Sequence, residues 1–265
     1  MAISLLGRAL RRNIVIDPFP HIVVEDALPG DYYQQLAAEY PNFNAIAGEG
    51  PHGNNELYLK SAFQIPHMPD VSPAWQQFFS YHISRDFYSE IVALFGDHIR
   101  DCHPAFEGTL GRKLEDMTVG MRLPNKSQDA EATLHDAKLD VQFGCNSPVL
   151  EMSSVRTAHV DSKFKLLASL LYFREEGDDS LGGELELYRH DPAGAQFDKR
   201  HQLIRGDFEA ARTVPYRPNI LVMWVNSPRA LHGVSPRHPT SIPRRYVNII
   251  CETYQQPNGL FSLRS

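Results

Sequence analysis

Hydrophobic and polar positions divide the chain into a first third with helical periodicity and a longer remainder of short, β-rich runs. In the first third, a β-branched run at residues 21–25 predicts a strand, and residues 32–40 predict a helix that stops before Pro41. Apolar side chains then recur at near-helical spacing over residues 75–95. With Ser72-Pro73 before this segment and Gly96 after it, the pattern predicts one long helix.

From about residue 117 onwards, short apolar runs are separated by turn residues, which predicts strands. The predicted strands are residues 118–123, 139–143, 154–160, 166–173, 183–188, 212–216, 220–225, 231–234 and 246–253. Strands at this spacing indicate a sandwich or barrel, and we favour a double-sheet jelly roll because it leaves a cavity between its sheets. The predicted fold class is therefore α+β, mainly β, with a jelly-roll core braced by N-terminal helices.

The same pattern predicts a single domain over residues 1–265. Residues 1–116 would form a helical or mixed support, residues 117–255 the jelly-roll core and residues 256–265 a tail. We expect the helices to brace one sheet because no interdomain linker or internal repeat is visible in the sequence.

Composition narrows the possible partners. The net charge of −6, without a basic stripe, argues against nucleic acid, and no apolar window reaches the roughly 18 residues that span a membrane. The three cysteines are scattered singly, so a thiolate zinc site is not expected, and their odd, sparse count suits a reducing cytoplasm. These features predict a cytoplasmic protein that binds a small molecule. They leave the oligomeric state open.

Two distant signals suggest a metal site: His159-Val160-Asp161 and a lone His232. Residues i and i+2 of a strand project to the same face, so His159 and Asp161 can bind one ion together. Each signal alone is weak, since an HxD triplet arises often by chance and an isolated histidine is usually structural. Arg245 strengthens the pair, because it opens an apolar strand 13 residues after His232 and a buried cation there needs an anionic partner.

At this point the segment from about residue 150 to 254 resembles the Fe(II)/2-oxoglutarate-dependent dioxygenase superfamily, in its prolyl-4-hydroxylase-like branch. The residues that carry the resemblance follow one another in the family's order. They are His159-Val160-Asp161, Leu170-Leu171-Tyr172-Phe173, Gly182-Gly183-Glu184-Leu185-Glu186-Leu187, Leu231-His232-Gly233-Val234 and Arg244-Arg245-Tyr246. The segment Asp17-Pro18-Phe19-Pro20-His21-Ile22-Val23 also looks like an opening common among these enzymes.

The resemblance implies a double-stranded β-helix in which His159, Asp161 and His232 are the catalytic metal ligands of Fe(II). The co-substrate 2-oxoglutarate would chelate the iron through its 2-oxo acid end and leave one coordination position for O2. The presence of Asp161 favours hydroxylation, because halogenating relatives lack this carboxylate. We therefore expect a 2-oxoglutarate-dependent hydroxylase that releases succinate and CO2.

The resemblance further implies that Arg245 binds the distal carboxylate of 2-oxoglutarate. Arg244 is the rival, since the two residues alternate in direction and only one can face inward. Tyr172 either donates a hydrogen bond to the same carboxylate or simply packs in the core. The glycine pair Gly182-Gly183 is expected to be architectural, at a tight approach between strands.

Three residues are candidates for contact with the primary substrate. Arg156 could reach the mouth of the cavity and bind an anionic group, and Lys163, like Lys165, follows the HxD triplet and could line the entrance. Tyr58 lies in the loop at residues 42–60, whose glycines make it a candidate lid. The substrate would be a small molecule or an amino-acid-like compound.

Two other classes of function compete with an oxygenase. One is a non-catalytic jelly-roll sensor or binding protein that keeps a metal without turnover. The other is a cupin-type metalloenzyme that uses no oxo acid, although such proteins generally carry more clustered histidines. A cation anchored like Arg245 is unnecessary in a jelly roll that only binds metal, so this residue distinguishes the readings.

Overall fold

Two mainly antiparallel sheets with a cavity between them form the centre of the protein, and helices cover the larger sheet. The computed structural model describes residues 3–123 and 134–264 of the chain. The helices are α1 Gly30–Ala38, α2 Phe43–Ala47, α3 Pro73–His82, α4 Arg85–Cys102 and α5 Phe106–Leu110. Short 3-10 turns lie at Arg11–Asn13, Ala62–His67 and Leu114–Asp116.

Twelve strands are present among the described residues. They are β1 His21–Val24, β2 Leu57–Ser61, β3 Val119–Met121, β4 Ala137–Asn146, β5 Lys165–Tyr172, β6 Leu185–His190, β7 Gln196–Phe197, β8 Leu203–Arg205, β9 Phe208–Val214, β10 Leu221–Val225, β11 His232–Val234 and β12 Arg244–Glu252. The large sheet has the order β1-β10-β5-β12-β4-β2, with β3 parallel to β4. The small sheet has the order β11-β6-β9, and β7 pairs with β8.

Strand β12 shows how the large sheet separates two apolar layers. Val247, Ile249 and Cys251 belong to the hydrophobic core that contains the helices' buried side chains. Tyr246 and Ile250, on the opposite face, pack with residues of the small sheet. This alternation follows from the two-residue period of a strand. The predicted fold class, α+β and mainly β with a cavity between two sheets, is confirmed.

The first third of the chain completes the large sheet from both sides. Strand β1 pairs with β10 at one edge, and β2 pairs with β4 at the other. The helix predicted at residues 32–40 is present as α1. Among the described residues, no helix has the length and apolar character needed to cross a membrane.

Three local predictions were wrong. The single helix predicted at residues 75–95 is broken, because α3 ends at His82 and Ser84 caps a new helix by accepting a hydrogen bond from the Phe87 N–H at 3.3 Å. Residues 42–60, predicted to be a loop, contain α2 and most of β2. The strand predicted at 154–160 is irregular backbone with isolated bridges at Ser153 and His159.

Candidate metal centre and its cavity

His159, Asp161 and His232 form the one cluster within the described residues that could hold a metal ion through three side chains. One potential ligand atom from each residue lies within 4.8 Å of the others, and all three residues are buried. The two imidazole rings are 4.2 Å apart between centroids. The sequence signals that were far apart in the chain are thus brought together as predicted.

Backbone pairing holds the two histidines in register. The His159 N–H donates to the His232 carbonyl at 2.8 Å, and the His232 N–H donates back at 3.0 Å. Each ring also uses Nδ1 to donate to a carbonyl two residues earlier, Thr157 at 2.8 Å and Ala230 at 2.9 Å. These bonds fix the tautomer in which Nδ1 carries the proton and the lone pair of Nε2 is free to bind a metal, as is common for metal-binding histidines.

Asp161 is held by a partly buried lysine. Lys165 Nζ donates to Asp161 Oδ1 at 2.9 Å, while Asp161 Oδ2 lies 3.8 Å from His232 Nε2. Burial raises the pKa of the Asp161 carboxyl, but the neighbouring charges, Lys165 foremost, outweigh burial and lower the pKa below its usual value. The carboxylate is therefore ionised and offers one oxygen to an ion.

Burial has the opposite consequence for the imidazoles. It is the main reason that the pKa of His159 lies well below its usual value and that the pKa of His232 is lowered. Both rings are therefore neutral near pH 7, which is the form that binds metal. Two neutral imidazoles and one carboxylate fit a divalent ion of the Fe(II) type, because this donor set leaves coordination positions free for other ligands.

The cluster lies in the wall of a cavity of about 280 Å³ between the sheets. Strand β12 contributes its alternate residues to this cavity from one end to the other. They are Arg244, Tyr246, Asn248, Ile250 and Glu252. Trp224 also lines the cavity, with its ring 4.7 Å from that of His232. The cavity therefore joins the triad to both charged ends of β12.

Of the two arginines that open β12, Arg244 is the one that faces this cavity, and it is 2% exposed. Its guanidinium lies over three tyrosine rings at 4.8–5.1 Å from their centroids, those of Tyr172, Tyr216 and Tyr246. Its Nη1 makes a long contact of 3.5 Å with Asn146 Oδ1, while Nε and Nη2 have no hydrogen-bond partner among the described residues. A buried cation with two unpaired nitrogens is typical of a site for an anion.

Arg245 points to the other face of β12, so the prediction that it faces the cavity is wrong. It lies 3.2 Å from Glu175 Oε1, donates to the Phe173 carbonyl at 3.2 Å and has its guanidinium 5.0 Å from the Tyr40 ring centroid. The reason is the strand's alternation, which sends Val247, Ile249 and Arg245 to the helical side of the sheet. Arg244, the rival residue in the sequence, takes the cavity position.

Tyr172 lies beside Arg244, whose guanidinium is 5.0 Å from the centroid of the Tyr172 ring, although Tyr172 is not among the residues that line the cavity. Its hydroxyl is fully buried and has no hydrogen-bond partner among the described residues. Burial raises the pKa of this phenol, so the hydroxyl keeps its proton and can donate to an anion that Arg244 binds. Arg244 and the neighbouring Tyr172 thus both carry buried polar atoms without a partner among the described residues.

The three candidate substrate residues have different outcomes. Arg156 lines the cavity, as predicted. Lys163 does not, since its ammonium lies 5.5 Å from the centroid of the Phe164 ring, and the neighbouring candidate Lys165 takes the position at the triad. Tyr58 also faces away from the cavity, with its hydroxyl against Glu56 and 3.1 Å from His52 Nδ1.

Two apolar side chains of residues 42–60, the candidate lid, form part of the cavity wall. Leu57 and Leu59, on edge strand β2, line the cavity and are 41% and 38% exposed. Sequence reasoning did not single out these two leucines, nor Arg122 and Glu252 at the far end of the cavity. The alternation of β2, in which Leu57 and Leu59 share one face, was the available signal.

Comparison with solved structures gives similar proteins at low sequence identity. A prolyl-4-hydroxylase from Pseudomonas putida is 13% identical, with a TM-score of 0.49 over 93% of this chain and 99% of that one. A prolyl hydroxylase from Trichoplax adhaerens, in complex with a hypoxia inducible factor peptide fragment, is 10% identical, with a TM-score of 0.45 over 92% and 89%. A viral collagen prolyl hydroxylase from Paramecium Bursaria Chlorella virus-1 is 12% identical, with a TM-score of 0.40 over 90% and 98%.

No family model matches the chain, and no curated protein matches it. The functional conclusions below therefore depend on the geometry of the triad and its cavity. The similar solved structures include prolyl 4-hydroxylases and a dioxygenase for auxin oxidation in rice. In this chain, the residues of the HxD…H pattern form a three-residue cluster.

Proposed function

We propose that this protein is an Fe(II)- and 2-oxoglutarate-dependent oxygenase that hydroxylates an unactivated C–H bond of a small molecule. The triad alone would support any metal-dependent function. The observation that carries the proposal is Arg244, a buried cation with two unpaired nitrogens in the cavity that also contains the triad. A jelly roll that only binds a metal has no need for such a cation.

Fe(II), once bound, would supply the activation of O2. The overall reaction converts R–H, O2 and 2-oxoglutarate into R–OH, succinate and CO2, so that one oxygen atom enters each oxidised product. The co-substrate provides the remaining two electrons by losing CO2. The protein's part is to bind and orient the reactants.

Each residue of the cavity has a role in that binding. His159, Asp161 and His232 would hold the metal on one side, and Lys165 would keep Asp161 Oδ1 engaged so that Oδ2 points to the ion. Arg244 would bind the distal carboxylate of 2-oxoglutarate, with the Tyr172 hydroxyl as a second donor. Charge-assisted bonds of this kind are among the stronger ones in proteins.

The size of the cavity supports a small substrate. Ligand pockets for small molecules commonly measure roughly 300–1,000 Å³, and this cavity of about 280 Å³ lies just below that range. It must also admit 2-oxoglutarate. A compact molecule fits this space better than a folded protein segment.

Anaerobic titration of the Fe(II)-loaded protein with 2-oxoglutarate tests the proposal. We expect a visible charge-transfer band from the chelate, and we expect His232→Ala to abolish it. Succinate formation in air, dependent on iron, would then follow. If iron binds stoichiometrically and no band develops, the oxygenase proposal fails, and a metal-binding sensor or a cupin-type enzyme becomes the better explanation.

A further inference from the structure

The positive charges in the cavity wall and directly behind it outnumber the negative charges, even when the metal and the co-substrate are counted. Four cations line it, Arg122, Arg156, Lys165 and Arg244, and two carboxylates face them, Asp161 and Glu252. Asp140, immediately behind this wall, accounts for one further negative charge. Fe(II) and the 2-oxoglutarate dianion cancel each other. One positive charge therefore remains to be offset by the primary substrate.

Arg122 cannot be the residue that supplies this charge. Its Nε lies 2.5 Å from Glu252 Oε2, and its Nη1 lies 3.4 Å from Asp140 Oδ2. Glu252 and Asp140 are both buried, so this cation is committed to two carboxylates within the wall.

Lys165 and Arg244 are also committed. Lys165 donates to Asp161 at 2.9 Å, and Arg244 lies at the end of the cavity assigned to the distal carboxylate of 2-oxoglutarate. Neither cation has a charge left to balance a second organic anion.

Arg156 is the remaining cation. Its closest carboxylate contact is 3.8 Å, to the Asp161 oxygen that Lys165 already occupies, and its side chain lines the cavity and is 43% exposed. The backbone around it is fixed, because the Val234 N–H donates to the Arg156 carbonyl at 2.9 Å. A guanidinium in this position can pair with an incoming carboxylate through two parallel N–H bonds.

The walls beside Arg156 are apolar. Val155 and Val234 flank it, and Leu57 and Leu59 of β2 line the same cavity with a large part of their surface exposed. An anionic head at Arg156 would leave the rest of the molecule against these side chains. A single uncompensated charge and a single uncommitted guanidinium suit a carboxylate better than a phosphate dianion.

We infer that the primary substrate is a small monocarboxylate with an apolar body, whose carboxylate binds Arg156. This inference rests on the proposed function, because the charge count includes 2-oxoglutarate. It also predicts where oxidation occurs. Arg156 lies beside Asp161, so the carboxylate would lie close to the metal, and the carbon that is oxidised would be within a few bonds of the carboxylate.

The test uses three probes with the same six-carbon chain and different heads: hexanoate, hexylamine and 1-hexanol. Each is titrated into the Co(II)-loaded protein with 2-oxoglutarate, and binding is followed through the change in tryptophan fluorescence, since Trp224, one of the two tryptophans, lines the cavity. We expect hexanoate to bind about tenfold more tightly than either other probe, the ratio that corresponds to about 1.4 kcal/mol. Arg156→Gln should remove this preference, and Arg156→Lys should restore part of it.

Arg205→Gln is the matched control, since Arg205 is exposed on β8 and does not line the cavity. It should leave the preference for hexanoate unchanged. Tightest binding of hexylamine, or an undiminished hexanoate preference in Arg156→Gln, would overturn the inference. A missing 2-oxoglutarate chelate band, with hexanoate binding still dependent on Arg156, would instead remove the oxygenase proposal and retain the carboxylate site.

Discussion

His159 and His232 are paired like residues of neighbouring strands, although 73 residues separate them in the chain. Each backbone N–H donates to the other's carbonyl, at 2.8 Å and 3.0 Å, and the imidazole rings are 4.2 Å apart. The small sheet therefore fixes the separation of the two ligands before any metal binds. This preorganisation lowers the entropic cost of binding an ion.

The first prediction concerns metal affinity. Replacing His159, Asp161 or His232 with Ala should abolish tight binding of Co(II), measured by isothermal titration calorimetry, because each removes one of three ligands. Binding should also stabilise the wild-type fold by about 2.7 kcal/mol when the free metal is 100 times its Kd. The variants should show no such gain.

His201→Asn provides the control for the metal experiment. The His201 ring lies close to the triad, with Nδ1 3.2 Å from the Asp161 carbonyl, but it is outside the three-residue cluster. Asparagine tolerates its backbone conformation, at φ 60°. Loss of Co(II) binding in this variant, equal to that in His159→Ala, would contradict the ligand assignment.

The HxD triplet shows what the sequence could and could not predict. The pairing of His159 with Asp161 was expected from strand alternation, yet residues 154–160 are not a strand. The shared direction of the two side chains comes instead from bridges of His159 with His232 and Gln202. Such long-range pairing leaves no local pattern in the sequence, so only the resemblance to a family linked the two signals.

The sequence of β12 contains a pattern that distinguishes Arg244 from Arg245. Along β12, Val247, Ile249 and Cys251 form an uninterrupted apolar face, whereas the opposite face carries Asn248 and Glu252. The apolar face packs against the helices, so the polar face lies towards the cavity. Arg244 shares its parity with the polar face, and this parity indicates that Arg244 is the arginine that faces the cavity.

The second prediction separates the two arginines. Arg244→Met should weaken 2-oxoglutarate binding to the metal-loaded protein by about 10- to 100-fold, since a hydrogen bond to a charged group contributes roughly 1.5–3 kcal/mol. Its free energy of unfolding should not fall, because a methionine among three tyrosine rings replaces an unpaired buried cation. Calorimetry and urea unfolding measure the two quantities.

Arg245→Met should behave in the opposite way. It loses the ion pair with Glu175 and the contact with the Tyr40 ring, which together correspond to about 1–2 kcal/mol of stability. Its affinity for 2-oxoglutarate should stay within about twofold of wild type, well below the tenfold change that 1.4 kcal/mol would give. If Arg245→Met is the variant that loses 2-oxoglutarate, the assignment to Arg244 is incorrect.

The third prediction contrasts two neighbouring glycines. Both Gly182 and Gly183 have positive φ angles, 81° and 83°, so an alanine at either position is strained by roughly 1–2 kcal/mol. A Cβ on Gly182 would also lie 1.9 Å from the Pro236 carbonyl oxygen, whereas a Cβ on Gly183 would find its nearest neighbour at 3.5 Å. The Pro236 carbonyl is part of the backbone, so it cannot move away from a new Cβ as the flexible end of a side chain can.

Gly182→Ala should therefore lower the free energy of unfolding by more than about 3 kcal/mol, and Gly183→Ala by about 1–2 kcal/mol. Urea denaturation of the two variants measures the difference. Equal losses would mean that the close approach of Gly182 to the Pro236 carbonyl does not limit this turn.

The last prediction concerns pH and the break between α3 and α4. His82 is fully buried at the end of α3. Its Nδ1 donates to the Phe78 carbonyl at 2.7 Å, and its Nε2 accepts from the Leu5 N–H at 3.0 Å. The ring is therefore satisfied only when neutral, and burial lowers the pKa of His82 to about 4.

In the unfolded chain the pKa of a histidine returns to about 6.5, so the unfolded state binds more protons between pH 6.5 and about 4. The stability that the neutral His82 provides is complete above pH 6.5 and is lost as the pH falls through this window. Other buried histidines add to the wild-type slope, so the informative quantity is the difference between wild type and His82→Gln. The destabilisation caused by His82→Gln should be about 2–3 kcal/mol smaller at pH 4.5 than at pH 8. Urea unfolding at both pH values measures this difference, and parallel stability curves would show that His82 takes up its proton in the folded state as readily as in the unfolded chain.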